Sequence, residues 1–141
     1  MRITLMFLCA LLLFATTPPP GTIQVTHVVW KDGPPTLPKG SKVAVLEGDP
    51  KAAGIFTMRL MIPAGSRVQP HTHPRPERVT IISGEAEVGF GDEFDLKNMT
   101  KFHAGDFYVN PPESHHYVYF PRKTVIQITG EGPWEIHFLK P

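Results

Sequence analysis

Apolar and polar residues alternate along most of this chain in short runs, and prolines and glycines separate the runs. Gly54–Ile62 is the plainest case: Phe56, Met58, Leu60 and Ile62 share one face, Thr57 and Arg59 the other. A period of two over a run of this length predicts a half-buried β-strand. The same reading predicts strands over Ile23–Trp30, Val43–Leu46, Glu77–Ser83, Glu85–Phe90, Phe107–Val109, His115–Phe120, Thr124–Thr129 and Trp134–Phe138. Gly84, between two of these runs, reads as the turn of a hairpin. Lys31–Gly40 is a Pro/Gly loop, and Gly91–Lys101 is polar, with room for one helical turn. No stretch keeps helical periodicity over the dozen residues that a packed helix wants. About ten short strands in one chain predict an all-β sandwich or barrel, antiparallel and single-domain.

Composition sharpens this picture. A chain of 141 residues supports one domain with a true core. Lys+Arg 14 against Asp+Glu 13 gives a formal charge of +1, without a basic run, so no nucleic-acid partner is expected. Sixteen prolines and twelve glycines suit many turns between many strands. The start of the chain reads differently. Arg2 precedes an apolar run from Ile3 to Ala15, then Thr16, Thr17 and three prolines. That is the pattern of a secretory signal over residues 1–17, its end left open because Pro18 would follow the cut. The run is short for a membrane span, which takes about 20 residues. The expectation is export to the periplasm or outside the cell, without a stable membrane anchor, leaving 18–141 as the mature domain. Cys9, the single cysteine, lies in the leader, so the mature chain would carry no disulfide.

The chemistry concentrates in Gly65–Gly84. His71 and His73, two apart, point to one side of an extended strand. Pro74 and Pro76 break the strand and let the chain bend Glu77 toward the pair. Two neutral imidazoles and a carboxylate suit a divalent transition metal. A fourth ligand must come from elsewhere, and Gly105–His116 offers His115 and His116.

These residues resemble the cupin superfamily. Its first motif reads Gly, five residues, His, one, His, three, Glu, six, Gly; Gly65, His71, His73, Glu77 and Gly84 fill it. The second is matched by Gly105, Pro111 and His116, with Glu113 in place of a glycine and Phe120 where asparagine is usual. The two motifs span residues 65–120. More narrowly, the chain is similar to small exported bacterial single-cupin proteins of the conserved-barrel kind. The resemblance implies a jelly-roll-like antiparallel β-barrel with a metal held by His71, His73, Glu77 and His116. Alternation sends His115 and His116 to opposite faces, and spacing favours His116. Val118 and Phe120 would then line the interior with Val79 and Ile81, while Tyr117 and Tyr119 point away. If the motif turn demands a positive φ, Glu113 costs about 1 kcal/mol or more there.

Arg59, Glu113 and Phe120 are further candidates for the pocket. His27, His103 and His137 have no partner pattern, and Trp30 and Trp134 are core residues by default. Asn98–Thr100 fits a glycosylation sequon that matters only in a eukaryotic secretory route. The ligand set suits Fe, Mn, Ni, Zn or Cu. By resemblance, the chain is expected to be a metal-dependent dioxygenase or related oxidoreductase acting on a small organic molecule. In that case Glu77 alternates between ligand and proton acceptor. The alternatives are a non-catalytic binder of metal or small ligand, and a non-oxidative isomerase or lyase. Homodimerisation through the N-terminal strand is a family-level expectation.

Overall fold

The computed structural model describes residue 21 and residues 27–139, and every described element is a strand or a turn. The eleven strands are β1 (Lys31–Asp32), β2 (Lys42–Glu47), β3 (Gly54–Ile62), β4 (Ser66–Thr72), β5 (Glu77–Ser83), β6 (Glu85–Phe90), β7 (Thr100–His103), β8 (Phe107–Asn110), β9 (His116–Phe120), β10 (Thr124–Gly132) and β11 (His137–Phe138). They form two antiparallel sheets, one ordered β1-β2-β3-β10-β5-β8 and the other β11-β4-β9-β6-β7. This is the jelly-roll arrangement that the resemblance implies.

Strand alternation places the core. Phe56, Met58, Leu60 and Ile62 of β3 are buried, while Thr57, Arg59 and Met61 between them are half-exposed. Val79 and Ile81 of β5, Val118 and Phe120 of β9, and Ile126 and Ile128 of β10 meet them between the sheets. Burying side chains of this size stabilises by about 1.5–3 kcal/mol each relative to exposure. Thr124 ties the strand ends, its hydroxyl donating to the Glu85 carbonyl at 2.8 Å.

Several boundaries move. β5 and β6 are not a hairpin: β5 pairs with β10 and β8, and β6 with β7 and β9. The chain crosses from one sheet to the other at Gly84, where φ is +85° and a Cβ would stand 2.5 Å from the Lys123 carbonyl oxygen. Both strands bury one face, and burying the two faces against each other across the core wins over pairing them edge to edge. Of the expected strand Ile23–Trp30, residues 23–26 lie outside the described residues and 28–30 carry no ladder; the short β1 follows instead. The leader over residues 1–17 with Cys9, and the mature start at 18, also fall outside them. Gly91–Lys101 holds turns rather than a helix and ends by entering β7. That segment covers Tyr117, which points away from the cavity as expected yet is 1% exposed. Phe94 packs on the Tyr117 ring at 5.1 Å, and the Tyr117 hydroxyl donates to the Asp95 carbonyl at 3.4 Å.

Candidate metal centre

β4 delivers His71, the bend after it His73, the start of β5 Glu77, and the start of β9 His116. In the β4–β9 ladder His71 stands opposite His116. All three imidazoles and Glu77 are buried, at 1–6% exposure. Ligand atoms of His71, His73 and His116 lie within 4.8 Å of one another, and the ring centroids of His71 and His116 are 4.1 Å apart.

Each ring is held by its Nδ1. His71 Nδ1 donates to the Gln69 carbonyl at 2.7 Å, His73 Nδ1 to the Glu135 carbonyl at 2.6 Å, and His116 Nδ1 to the Ser114 carbonyl at 2.9 Å. A carbonyl can only accept, so Nδ1 carries the proton and a neutral ring presents a lone pair at Nε2. The Nε2 atoms of His73 and His116 are buried without a hydrogen-bond partner among the described residues. Such orphaned acceptors call for an ion or a donor. Imidazoles locked at one nitrogen by a carbonyl and open at the other are oriented as metal ligands are.

Glu77 completes the group. Its Oε2 accepts from Asn110 Nδ2 at 2.9 Å, its Oε1 from Trp134 Nε1 at 2.9 Å. Oε2 also lies 3.3 Å from His73 Nε2, near enough for attraction but without hydrogen-bond alignment. With metal bonds of about 2.1 Å, that is a separation two ligand atoms of one ion can take. Trp134 stacks on His73, with centroids 5.6 Å apart and planes 21° from parallel.

The electrostatics follow from burial and from Glu77. Burial, then the neighbouring His116, pull His71 down to about 3. Burial also holds His116 below its ordinary value. For His73 burial opposes charge, but the adjoining Glu77 carboxylate outweighs it and the ring is raised. Burial works against ionised Glu77 too, yet attraction to the adjoining His73 and the hydrogen bond from Asn110 bring it down to about 2. One buried anion beside three imidazoles thus makes a point that favours a cation.

Beneath the group lies a small cavity of about 40 Å³, lined by the three histidines, Glu77, Trp134, Tyr108, Leu60, Ile62, Val118, Phe120 and other apolar side chains. Phe120 is where the sequence places it. Val79 and Ile81 are core residues that do not line the cavity. Arg59 does not line this cavity: alternation turns it outward, where its Nε donates to Gln127 Oε1 at 3.1 Å. Glu113 is exposed and has a φ of 54°, the one non-glycine residue with positive φ among the described residues. Its amide donates to the His73 carbonyl at 2.9 Å, so the turn that wants a glycine also props up a candidate ligand. His115 faces outward, with Asp92 2.6 Å from its Nδ1. His103 pairs with Asp106 and His137 with Glu135 at the surface.

Sequence reasoning missed three contributors. Trp134 looked like core, Tyr108 sat in the expected strand Phe107–Val109, read for its apolar pattern, and Asn110 lay just past its end. The available signal was parity: Tyr108 and Asn110 alternate with the exposed Phe107 and Val109, so they face inward.

A barrel of two jelly-roll sheets with histidines and a glutamate gathered at one mouth defines the cupin class. Residues 20–135 match the family described as the ChrR cupin-like domain, and the chain belongs to that family. No curated protein matches the chain. Solved structures share its fold. The polyketide cyclase RemF from Streptomyces resistomycificus aligns with a TM-score of 0.68 at 14% identity, over 85% of each chain. A candidate acetylacetone dioxygenase from Methylibium petroleiphilum PM1 aligns at 0.64 and 20% identity, over 89% of this chain and 85% of its own. An RmlC-like cupin from Shewanella frigidimarina NCIMB 400 gives 0.61 and 16%, over 77% and 87%.

Proposed function

We propose that this protein is an exported metal-binding cupin whose divalent transition ion is held by His71, His73 and His116, with Glu77 as an exchangeable fourth ligand. The observation that carries the reading is the set of three Nδ1–carbonyl bonds, which leaves buried Nε2 acceptors beside an ionised carboxylate. An iron or manganese ion there would supply redox chemistry toward O₂ and a substrate oxygen, whereas zinc would supply Lewis acidity or structure. The chain's own residues do the rest. The apolar walls exclude water, Asn110 and Trp134 orient Glu77, and Glu77 is the group able to take a proton from a bound ligand.

On this reading the protein is a metal-dependent oxidoreductase of the dioxygenase type acting on a small oxygen-bearing organic molecule. Its fold is shared with a candidate dioxygenase, and a redox ion beside a small apolar cavity suits that chemistry. A second reading, binding of metal or small ligand without turnover, draws support from the cavity's size and from the two hydrogen bonds that already hold Glu77. Export rests on the apolar run from Ile3 to Ala15, and a mature N-terminus near residue 18 is its test.

The test of the site is elemental analysis of protein purified from its native compartment without added metal, beside His116→Ala and His115→Ala. Near-stoichiometric metal in wild type and His115→Ala, lost in His116→Ala, is expected; metal retained by His116→Ala would refute the assignment. Oxygen consumption with a panel of phenols and organic acids then separates the two readings. Uptake supports the oxidoreductase, and none with any redox metal leaves the binder.

A further inference from the structure

The polar groups that line the cavity are nearly all engaged. The three imidazoles give Nδ1 to backbone carbonyls and turn Nε2 toward the ion site. Glu77 has a donor on each oxygen, and the Trp134 indole N–H is spent on one of them. Tyr108 is the exception. Strand parity turns it inward opposite Val79, and it lines the cavity with the histidines. Its ring packs on Phe102 with centroids 4.6 Å apart, which fixes its position, yet its hydroxyl makes no hydrogen bond among the described residues. The residue is half-buried, so a hydroxyl that lines the cavity without a partner is available to a ligand.

We propose that Tyr108 is the second anchor of the pocket: its hydroxyl donates a hydrogen bond to an oxygen of a small carboxylate or carbonyl ligand that also reaches the ion. This rests on the metal reading above. Size and chemistry narrow the class. About 40 Å³ holds on the order of three waters, so the part of the ligand inside is as small as formate or acetate. Burial, and then the charge of Glu77, push the Tyr108 phenol above its usual range, so it stays protonated and offers a donor. An ion and a hydroxyl donor on the walls select an oxygen acceptor over an amine. Any apolar arm would rest on Leu60, Ile62, Val118 and Phe120.

The experiment loads the full chain with cobalt(II), follows its visible spectrum, and titrates formate and then acetate. It compares wild type, Tyr108→Phe and, as a control on the opposite face, Tyr119→Phe. Tyr108→Phe removes one oxygen and keeps the ring, so cobalt should bind all three proteins with equal stoichiometry. Formate affinity should fall by about 10-fold or more in Tyr108→Phe and stay unchanged in Tyr119→Phe, because a hydrogen bond to a charged acceptor is lost. Equal formate affinity in Tyr108→Phe overturns the proposal. So does a wild-type cobalt spectrum that neither formate nor acetate alters. Failure of wild type to bind cobalt is a different result: it overturns the metal site and takes the anchor with it.

Discussion

Trp134→Phe isolates the support of the buried carboxylate. The change removes the indole N–H that donates to Glu77 Oε1 at 2.9 Å and keeps an aromatic face against His73. Glu77 is 6% exposed, so water cannot readily replace the lost donor. A hydrogen bond to a charged group contributes about 1.5–3 kcal/mol, and the metal-free variant should lose stability of that order. The indole also fills space, so the smaller ring adds a packing loss of the same sign. Groups that orient a metal ligand typically cost 10–100-fold in affinity when removed, which is about 1.4–2.8 kcal/mol. Glu77, which His73 and Asn110 already hold low, should titrate higher once the indole donor is gone. Two assays read this: denaturant unfolding of chelator-treated protein, and competition titration with a chromophoric chelator. A variant matching wild type in both would show that Trp134 is only a wall, and would sink the argument that Glu77 must be held by two donors.

Acidification of the metal-free protein should destabilise it from about pH 6.5 downward. His71 falls to about 3 in the folded state, so the unfolded chain takes up a proton that the folded chain refuses. The stability of that group is therefore present above its ordinary pKa and drains toward pH 3, by up to about 1.4 kcal/mol per pH unit. His116 acts with the same sign; His73, being raised, adds no loss in this window, and Glu77 joins only below its ordinary 4.5. Denaturant midpoints that stay flat or rise from pH 7.5 to 5 would contradict this. Gly89→Ala should cost about 1–3 kcal/mol, because the new methyl would overlap the ring of buried Tyr117; an unchanged melting temperature would refute the close packing there. Glu113→Gly should stabilise by up to about 1 kcal/mol by relieving the positive φ, whereas a β-branched Glu113→Val should destabilise. Thermal melts of the two variants moving in the same direction would argue against strain at that turn.

The parts of this molecule that were legible from sequence are those governed by short-range geometry. Parity found β3 with its observed ends, sorted His115 from His116, and turned Tyr117 outward. The prolines after His73 explained how a strand residue and Glu77 could meet, and a motif glycine replaced by Glu113 marked a turn where φ, left conditional by the sequence, is positive. What parity cannot supply is which strand lies beside which. Glu77–Ser83 and Glu85–Phe90 have the same pattern whether they pair or face each other across a core, and the choice is made by the inward side chains of β3, β9 and β10. Trp134 was hidden for a related reason. An indole packs as core wherever it lies, and only the placement of Glu77, 57 residues away, turns its N–H into part of a site. Arg59 was ambiguous the other way, since a cation opposite apolar neighbours fits a pocket or an outer face equally well until the ladder partner Gln127 is known.

The last strand is held in an unusual manner. β11 pairs with β4 over two residues only, and much of what pins its approach belongs to the centre itself: Glu135 accepts from His73, Trp134 donates to Glu77, and the Leu139 amide donates to the Pro70 carbonyl. So short a ladder has little stability of its own, and segments of that kind open locally without global unfolding. Each such opening would release the Nδ1 of one imidazole and one oxygen of the carboxylate at the same moment. The residence time of an ion would then follow the opening rate of the C-terminal segment rather than the strength of any single bond. An ion in place would in turn slow that opening, so that the chain's end and the metal keep time with each other.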